Sequence, residues 1–562
     1  MAEGGGAVPE PAPPAKRATG WRVWAAIVVV LIVIGGGVAY YLTRPTGPTR
    51  DTTTIVYYMQ SEPVSMDSAD SYDLWSFVAL QNTYDTLVEY VRDTTTVRGG
   101  LATSWDIPDS QTYVFHLRQG VKFADGSAFT ANDVYFTFKR LLEYAAPETG
   151  VDWIIAQNLD SANIPGSLWV KDTNTIQMNL THPYAGFLQT LATVMPSAIT
   201  SAAWVQAHLS TVPGEETAYI KDHSMGTGPY VIGSWNKGSE MVLVKNDNYW
   251  RGWTGNHPTK VIMKFTTNPT SRVQAIRTQA ADIADVPLTS VAQVKDLPGV
   301  IAKGNDTIKS EIVAINTTNP DFASKEVRQA LSWAFDYNGT IAQAFAGFAT
   351  LLPGPIPRGM EHFNVQRQVY YQNLTVAEAL LDAAGYTKAP GGPSAGFRFG
   401  GTAFRLVADG TQLEEKQTAQ IFQNTLQSIG IKTTLVITPT TALWDSRRAS
   451  GDYDFFVAHW VPDYLDPDDY VLPMVANVTN GGDYWNTGFD NETINTYALA
   501  AASESNPTAR ASDYRTVWQT SMDNPNMIWF AQQQFVPVYQ NYIQDFWFHP
   551  VTWYNFYFYQ KT

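Results

Sequence analysis

The ten residues Trp460-Val461-Pro462-Asp463-Tyr464-Leu465-Asp466-Pro467-Asp468-Asp469 crowd four carboxylates into one short segment. Carboxylates at that density could hold a hard cation, move protons, or accept a positive group from a guest. The twelve-residue calcium loop with its central glycine is missing, so a solvated acidic turn is the plain alternative. The eight histidines contain no i, i+4 pair and no H-E-x-x-H, which speaks against a zinc hydrolase. No phosphate loop of the G-x-x-x-x-G-K-[ST] type occurs, and Gly226-Thr227-Gly228 lacks the third glycine of a dinucleotide fingerprint. A G-x-S-x-G elbow is absent as well. These readings leave a binding protein rather than an enzyme, with no catalytic residue, no metal and no cofactor expected.

The elements around that segment read as α/β. Thr112–Leu117 alternates β-branched and aromatic residues with polar ones, as a half-buried strand does. Asp125-Gly126 supplies a turn. Thr130 and Asp133 form a capping-box pattern ahead of Val134, Phe138 and Leu141 at helical spacing. Val327, Ala330, Leu331 and Ala334 make a second helical stripe after a Ser324 cap. Thr375 and Glu378 suggest another capping box, with Gly385 ending that helix. Ala419, Phe422, Leu426 and Ile429 line a longer helix stopped by Gly430, and the strand-like Lys432–Ile437 follows at once.

At 562 residues the chain is too long for one core, and two or three domains are expected. Its 44% apolar and 16% charged content is that of a globular protein. The net charge of −15 argues against nucleic acid as a partner. The 29 Tyr, 26 Phe and 18 Trp suit large α/β cores, or a cleft walled by rings that accept varied side chains.

Seven segments, taken in order, resemble the family 5 extracellular solute-binding proteins, the peptide, dipeptide and nickel binders of ABC importers. They are Ser61–Tyr90, Leu101–Leu142, Gly226–Trp250, Lys325–Asn338, Ala377–Tyr386, Gln412–Leu435 and Asp452–Asp469. The resemblance implies a two-lobed α/β fold of the periplasmic-binding-protein kind, in the large peptide-binder class with an extra inserted subdomain. It places lobe one at 55–92, 225–300 and 531–562, the insertion at 93–224 and lobe two at 301–530. It implies a peptide ligand, most naturally an oligopeptide, held between lobes and delivered to ABC permease subunits, with the protein a monomer. A sensor of the same fold for another solute, such as a metal chelate or a sugar, is the alternative.

The family's W-x-x-D arrangement maps the ammonium contact onto Asp463, with Trp460 walling the pocket; a turn aspartate and a core tryptophan are the plain readings. Arg448 falls near a position that can meet a ligand carboxylate, though a helix-end arginine would look the same. Tyr72 and Trp75 would line the first-lobe wall. Dipeptide binders place an arginine where this chain has Asp409 and Gly410, a departure from that subgroup.

Trp24–Leu42 is nineteen uncharged residues, long enough to span a ~30 Å hydrocarbon layer. Lys16, Arg17 and Arg22 precede it, which puts the N-terminus in the cytoplasm and the body outside a single-pass anchor; a cleaved signal peptide, whose apolar stretch is typically about 7–15 residues, is the alternative. The expectation is a disordered cytoplasmic tail at 1–20, a transmembrane anchor at 21–42 and a stalk at 43–54. The chain has no cysteine, so a lipidated N-terminal cysteine cannot tether it. Asn-x-Thr triplets at Asn179, Asn305, Asn316, Asn338, Asn373, Asn477 and Asn491 are candidate glycan acceptors. Together these features fit an archaeal surface glycoprotein.

Overall fold

Thr54–Met59 (TIVYYM) buries Ile55, Tyr57 and Met59 completely, the period of two that a strand imposes. It pairs in parallel with Lys260–Phe265 on one side and Ile283–Ala284 on the other. The resulting seven-stranded sheet runs in the order Val300–Ala302, Val538–Gln540, Ile283–Ala284, Thr54–Met59, Lys260–Phe265, Glu240–Lys245, Tyr230–Asn236. The computed structural model describes residues 50–144, 153–212, 216–362, 370–477 and 483–562. The expected tail, the anchor and all of the stalk before residue 50 lie outside the described residues. Among the described residues no helix is long and apolar enough to cross a membrane.

A second sheet of six strands is ordered Ala349–Leu351, Met527–Phe535, Asn305–Ile315, Phe455–Trp460, Ala403–Asp409, Lys432–Thr438. Its central strands are apolar on both faces: Ile312 through Ile315 and Phe455 through Ala458 have no exposure. Ala403–Asp409 and Lys432–Thr438 are parallel, so a crossover must join them, and the helix Leu413–Ser428 makes it. Ala419, Phe422 and Leu426 pack inward, and Gly430 at φ +84° lets the chain turn off the helix where a Cβ would be strained. A third sheet, of four antiparallel strands, lies within residues 102–179.

Two connections carry the chain between the larger sheets, and they run side by side. Ala302 pairs with Val538 in the first sheet, and Asn305 pairs with Phe535 in the second. The passage back to the first sheet therefore falls between Phe535 and Val538, a few residues past the expected 531.

Local capping differs from the sequence patterns in informative ways. Asp133 accepts the Thr130 amide at 2.9 Å, one half of a capping box, while the Thr130 hydroxyl turns onto the same carboxylate at 3.0 Å. The helix expected to start at Thr375 begins at Leu374, because Asn373 caps it by accepting the Val376 amide at 3.1 Å. Glu378 is thereby freed and pairs with Lys388 at 2.6 Å. Ser324 holds the N-cap position but makes no cap bond to the helix backbone.

The loop leading to Tyr72 and Trp75 is fixed by two aspartates. Asp73 caps the helix Leu74–Thr83 through the amides of Trp75 and Ser76. Asp67, almost fully buried, receives Arg140 of the helix Ala131–Tyr144 through two bonds of 2.6 Å. A bidentate guanidinium satisfies both carboxylate oxygens at once. Removing one partner of such a pair strands the other charge out of water. Arg140→Ala should therefore destabilise the protein by about 3–5 kcal/mol, measured by urea unfolding, whereas substitution of the half-buried Lys139, whose partner Glu143 lies towards solvent, should change little.

Candidate ligand-binding site

The two larger sheets enclose a cavity of about 500 Å³, within the roughly 300–1,000 Å³ typical of small-molecule sites. One wall is aromatic. Trp75 meets Trp553 edge-on at 6.4 Å, and Phe535 stacks on Phe548 at 4.0 Å with Trp553 packed against both. Polar lining comes from Lys309, His459 and Gln533 on strands of the second sheet, and from Thr411, Gln412 and Glu414 where the helix Leu413–Ser428 begins. Tight helix and strand packing behind each wall fixes where these side chains emerge.

The charges along this lining are balanced. Arg272 is buried and gives Nε to the Asp285 carbonyl and Nη1 to the Thr266 carbonyl, both at 2.5 Å. The Asp285 carboxylate accepts from the Tyr57 hydroxyl and the Gln60 amide, and burial pushes it up to about 6. Lys309 donates to Gln533 Oε1 at 2.6 Å and lies 3.1 Å from Glu311. His459 Nδ1 and Glu415 Oε1 are 2.8 Å apart. Burial raises Glu415 to about 8 and lowers His459 to about 4, each toward its neutral form.

Next to the cavity, immediately after the lining residues Val461 and Pro462, the acidic segment is buried rather than solvated. Asp463, Asp466, Asp468 and Asp469 are each at most 5% exposed. Arg510 reaches Asp466 at 2.7 Å and, against the penalty of burial, holds that carboxyl low. Burial, and then neighbouring carboxylates, drive Asp468 and Asp469 well above the usual range. Asp469 accepts the Asp463 amide at 3.0 Å and the Trp460 indole at 3.3 Å. The Asp463 carboxyl faces the Tyr72 hydroxyl at 3.0 and 3.1 Å, and burial lifts it to about 7. Trp153 Nε1 lies 3.4 Å from the same hydroxyl. Among the described residues no cation pairs with Asp463.

Of the residues singled out in the sequence, the structure brings Tyr72 onto Asp463 and puts Trp75 in the cavity wall. Trp460 stands behind Asp463, among Tyr484, Trp485 and Asp469, and is not on the lining. Arg448 is not there either. It sits in the last turn of the helix Thr441–Ser450, over the Tyr484 ring at 3.7 Å, bonded to Asp445 and to the Tyr484 carbonyl. Asp409, at the position of departure from the dipeptide binders, accepts the hydroxyls of Thr411 and Thr441. Lys309, His459, Glu415 and Gln533 escape sequence reasoning. Their one linear signal is charge interrupting an apolar strand, as in Lys309-Ser310-Glu311-Ile312-Val313.

Asn316 must be removed from the candidate glycan acceptors. It is buried, and its Nδ2 donates to the carbonyls of Tyr453 and Gly451, leaving no room for a sugar. Asn338 and Asn477 are exposed, and Asn179, Asn305, Asn373 and Asn491 are half-buried. Among the described residues no group of three or more His, Asp or Glu side chains is arranged to hold a metal ion.

A family model described as bacterial extracellular solute-binding proteins, family 5, middle region, matches residues 96–482. The chain is 26% identical over 501 residues to a probable D,D-dipeptide-binding periplasmic protein of Escherichia coli, covering 87% of this chain and 90% of that one. It is 27% identical over 477 residues to heme-binding protein A of Haemophilus influenzae, covering 82% and 84%. A periplasmic binding protein of Helicobacter pylori solved with the peptide STSA superposes with a TM-score of 0.73 at 24% identity, over 90% of this chain and 98% of that one. That last likeness bears on the fold.

The Asp463 environment has a pH signature. Its carboxyl is raised to about 7 in the native protein against 3.8 for the free group, so between those values the native state binds more protons than the unfolded one. The contribution of Asp463 to stability then falls as pH rises through that window and levels off above it. Asp463→Asn cannot ionise and keeps an acceptor for Tyr72. In ligand-free protein its stability should gain on the wild type steadily from about pH 4 to about pH 7, by up to a few kcal/mol in all, because each tenfold change in proton affinity is worth about 1.4 kcal/mol. Scanning calorimetry across that range measures the gain as a widening gap in melting temperature, and a constant gap would contradict the assignment.

Proposed function

The chain belongs to the family 5 extracellular solute-binding proteins, and we propose that it captures peptides between its two larger sheets and hands them to an ABC import permease. The observation that carries this reading is Asp463: a dehydrated carboxyl beside the cavity whose facing partner is a neutral phenol. Leaving a lone carboxylate out of water is costly, and an arriving ammonium would remove that cost. In this reading Asp463 binds the ligand's amino terminus, Tyr72 yields or shares its place there, and Trp75 with the neighbouring rings packs ligand side chains. The relatives named for dipeptides and di/tripeptides support a peptide guest.

The two larger sheets with their helices act as lobes one and two, the third sheet belongs to the insertion, and the paired crossings at 302–305 and 535–538 serve as the hinge. Ligand favours the closed form only by its greater affinity for it. The apolar run Trp24–Leu42 tethers the body outside the membrane. Peptide is bound and released unhydrolysed.

Calorimetric titration with short peptides tests the site. Wild type should bind peptides with a free amino group, and both N-acetylation of the peptide and Asp463→Asn should weaken binding by about 2–4 kcal/mol. Equal affinity for acetylated and free peptides would overturn the assignment of Asp463. Recovery of heme or a metal chelate as the co-purified guest, in place of peptide, would overturn the ligand class.

A further inference from the structure

A second cavity, of about 300 Å³, lies where the segment 81–98 meets the C-terminal segment 547–558. No described residue lines both this cavity and the larger one. Its walls are rings. Tyr84, Tyr90 and Tyr557 are buried, and each sends its hydroxyl outside the lining, to the carbonyls of Met66, Gln189 and Gly252 respectively. What they leave to the cavity is the apolar body of the ring.

Polar atoms among those rings lack partners. Asp85 accepts the Thr227 hydroxyl at 2.8 Å and the Trp250 indole at 2.9 Å, both on Oδ2, and among the described residues no bond reaches its Oδ1. Gln81 Oε1 and Trp547 Nε1, from two more lining residues, are buried and have no partner. Each buried polar atom left so costs about 1–3 kcal/mol. Water could serve two acceptors and a donor, but it gains nothing from the broad ring faces around them. A guest with hydroxyls and an apolar face satisfies both.

The charges narrow the class further. The exposed lining residues are Arg92 and Arg98. Glu89 answers Arg98 at 2.8 Å and Arg251 at 2.6 Å, and among the described residues no carboxylate pairs with Arg92. A cationic guest would have to pass these guanidiniums, and an anionic one would come to rest beside Asp85. A neutral guest meets neither penalty.

We infer that this cavity is a second binding site, for a neutral cyclic polyol of monosaccharide size. Its hydroxyls donate to Asp85 and Gln81 and accept from Trp547, and its C–H face packs on the tyrosine rings. The site stands independently of the peptide reading of the larger cavity.

The test labels the full chain with fluorotryptophan and follows the fluorine resonances of Trp547 and Trp75, each assigned by its own Phe substitution, during titration with glucose, galactose and myo-inositol. At least one of the three should shift Trp547 saturably and leave Trp75, in the larger cavity, unmoved. Asp85→Asn keeps an acceptor for Thr227 and Trp250 but turns a donor toward the guest, and Gln81→Leu removes the amide. Each should weaken the binding by about tenfold, the worth of one or two hydrogen bonds, with thermal unfolding confirming that the variant is folded. Should Asp85→Asn fail to fold, Gln81→Leu, a change that suits its helix, decides alone. If no polyol moves Trp547, the cavity holds water only and the site is overturned. If Trp75 moves in its place, the polyol binds in the larger cavity and the assignment is equally overturned. If acetate, methylammonium or alanine moves Trp547 more readily than any polyol, the neutral class is overturned. If the folded variants bind as wild type does, the roles of Asp85 and Gln81 are overturned.

Discussion

Four aspartates within seven residues are withdrawn from water beside the cavity, and among the described residues Arg510 is the one arginine paired with them. Much of the structure answers that constraint. A buried carboxylate must be paired, protonated or hydrogen-bonded. Asp466 takes the pairing route through Arg510, while burial and neighbouring carboxylates push Asp468 and Asp469 well above the usual carboxylate range. Asp463 is left with the Tyr72 hydroxyl, from a loop 391 residues earlier in the chain. That loop is in turn held by Asp73 at a helix cap and by Arg140 on Asp67. These contacts link Asp463 through Tyr72 to a helix cap and to a buried ion pair.

The cavity beside Asp463 has two unlike walls, and each does a different physical job. The aromatic wall offers broad, weakly directional contact, which tolerates changes of side chain. The strand wall offers fixed donors and acceptors, which set orientation. Relatives with heme and with dipeptides in their names match this chain at similar identity, and one fold can carry different ligands.

The two crossings between the larger sheets lie side by side, with Ala302 paired to Val538 in one sheet and Asn305 paired to Phe535 in the other, so the connection between the sheets is confined to a few residues of each strand.

Much of the architecture was legible in the amino-acid order because it depends on local periodicity. Thr112–Leu117 forms a strand over its whole expected length, and the stripe Val327, Ala330, Leu331, Ala334 is buried as a helix face. The family's string of segments likewise pointed to the fold. Capping was less legible: a threonine and glutamate three apart at Thr375 and Glu378 were outcompeted by Asn373, one position before the observed helix start. The motif led to a segment where Asp463 meets Tyr72, and Trp75 of the same loop lines the cavity beside it. The site was illegible where side-chain direction decides, since Arg448 and Trp460 carry suitable chemistry but point into other contacts. Lys309, His459 and Glu415 come together only through strand register and a crossover helix, and no linear spacing records that. What the sequence determined by itself was the set of elements and the acidic segment, because these follow from neighbours in the chain. Which acids lie dry, which base faces the cavity and which neutralise one another was decided by tertiary packing, because burial and distance between remote residues exist only in the folded chain.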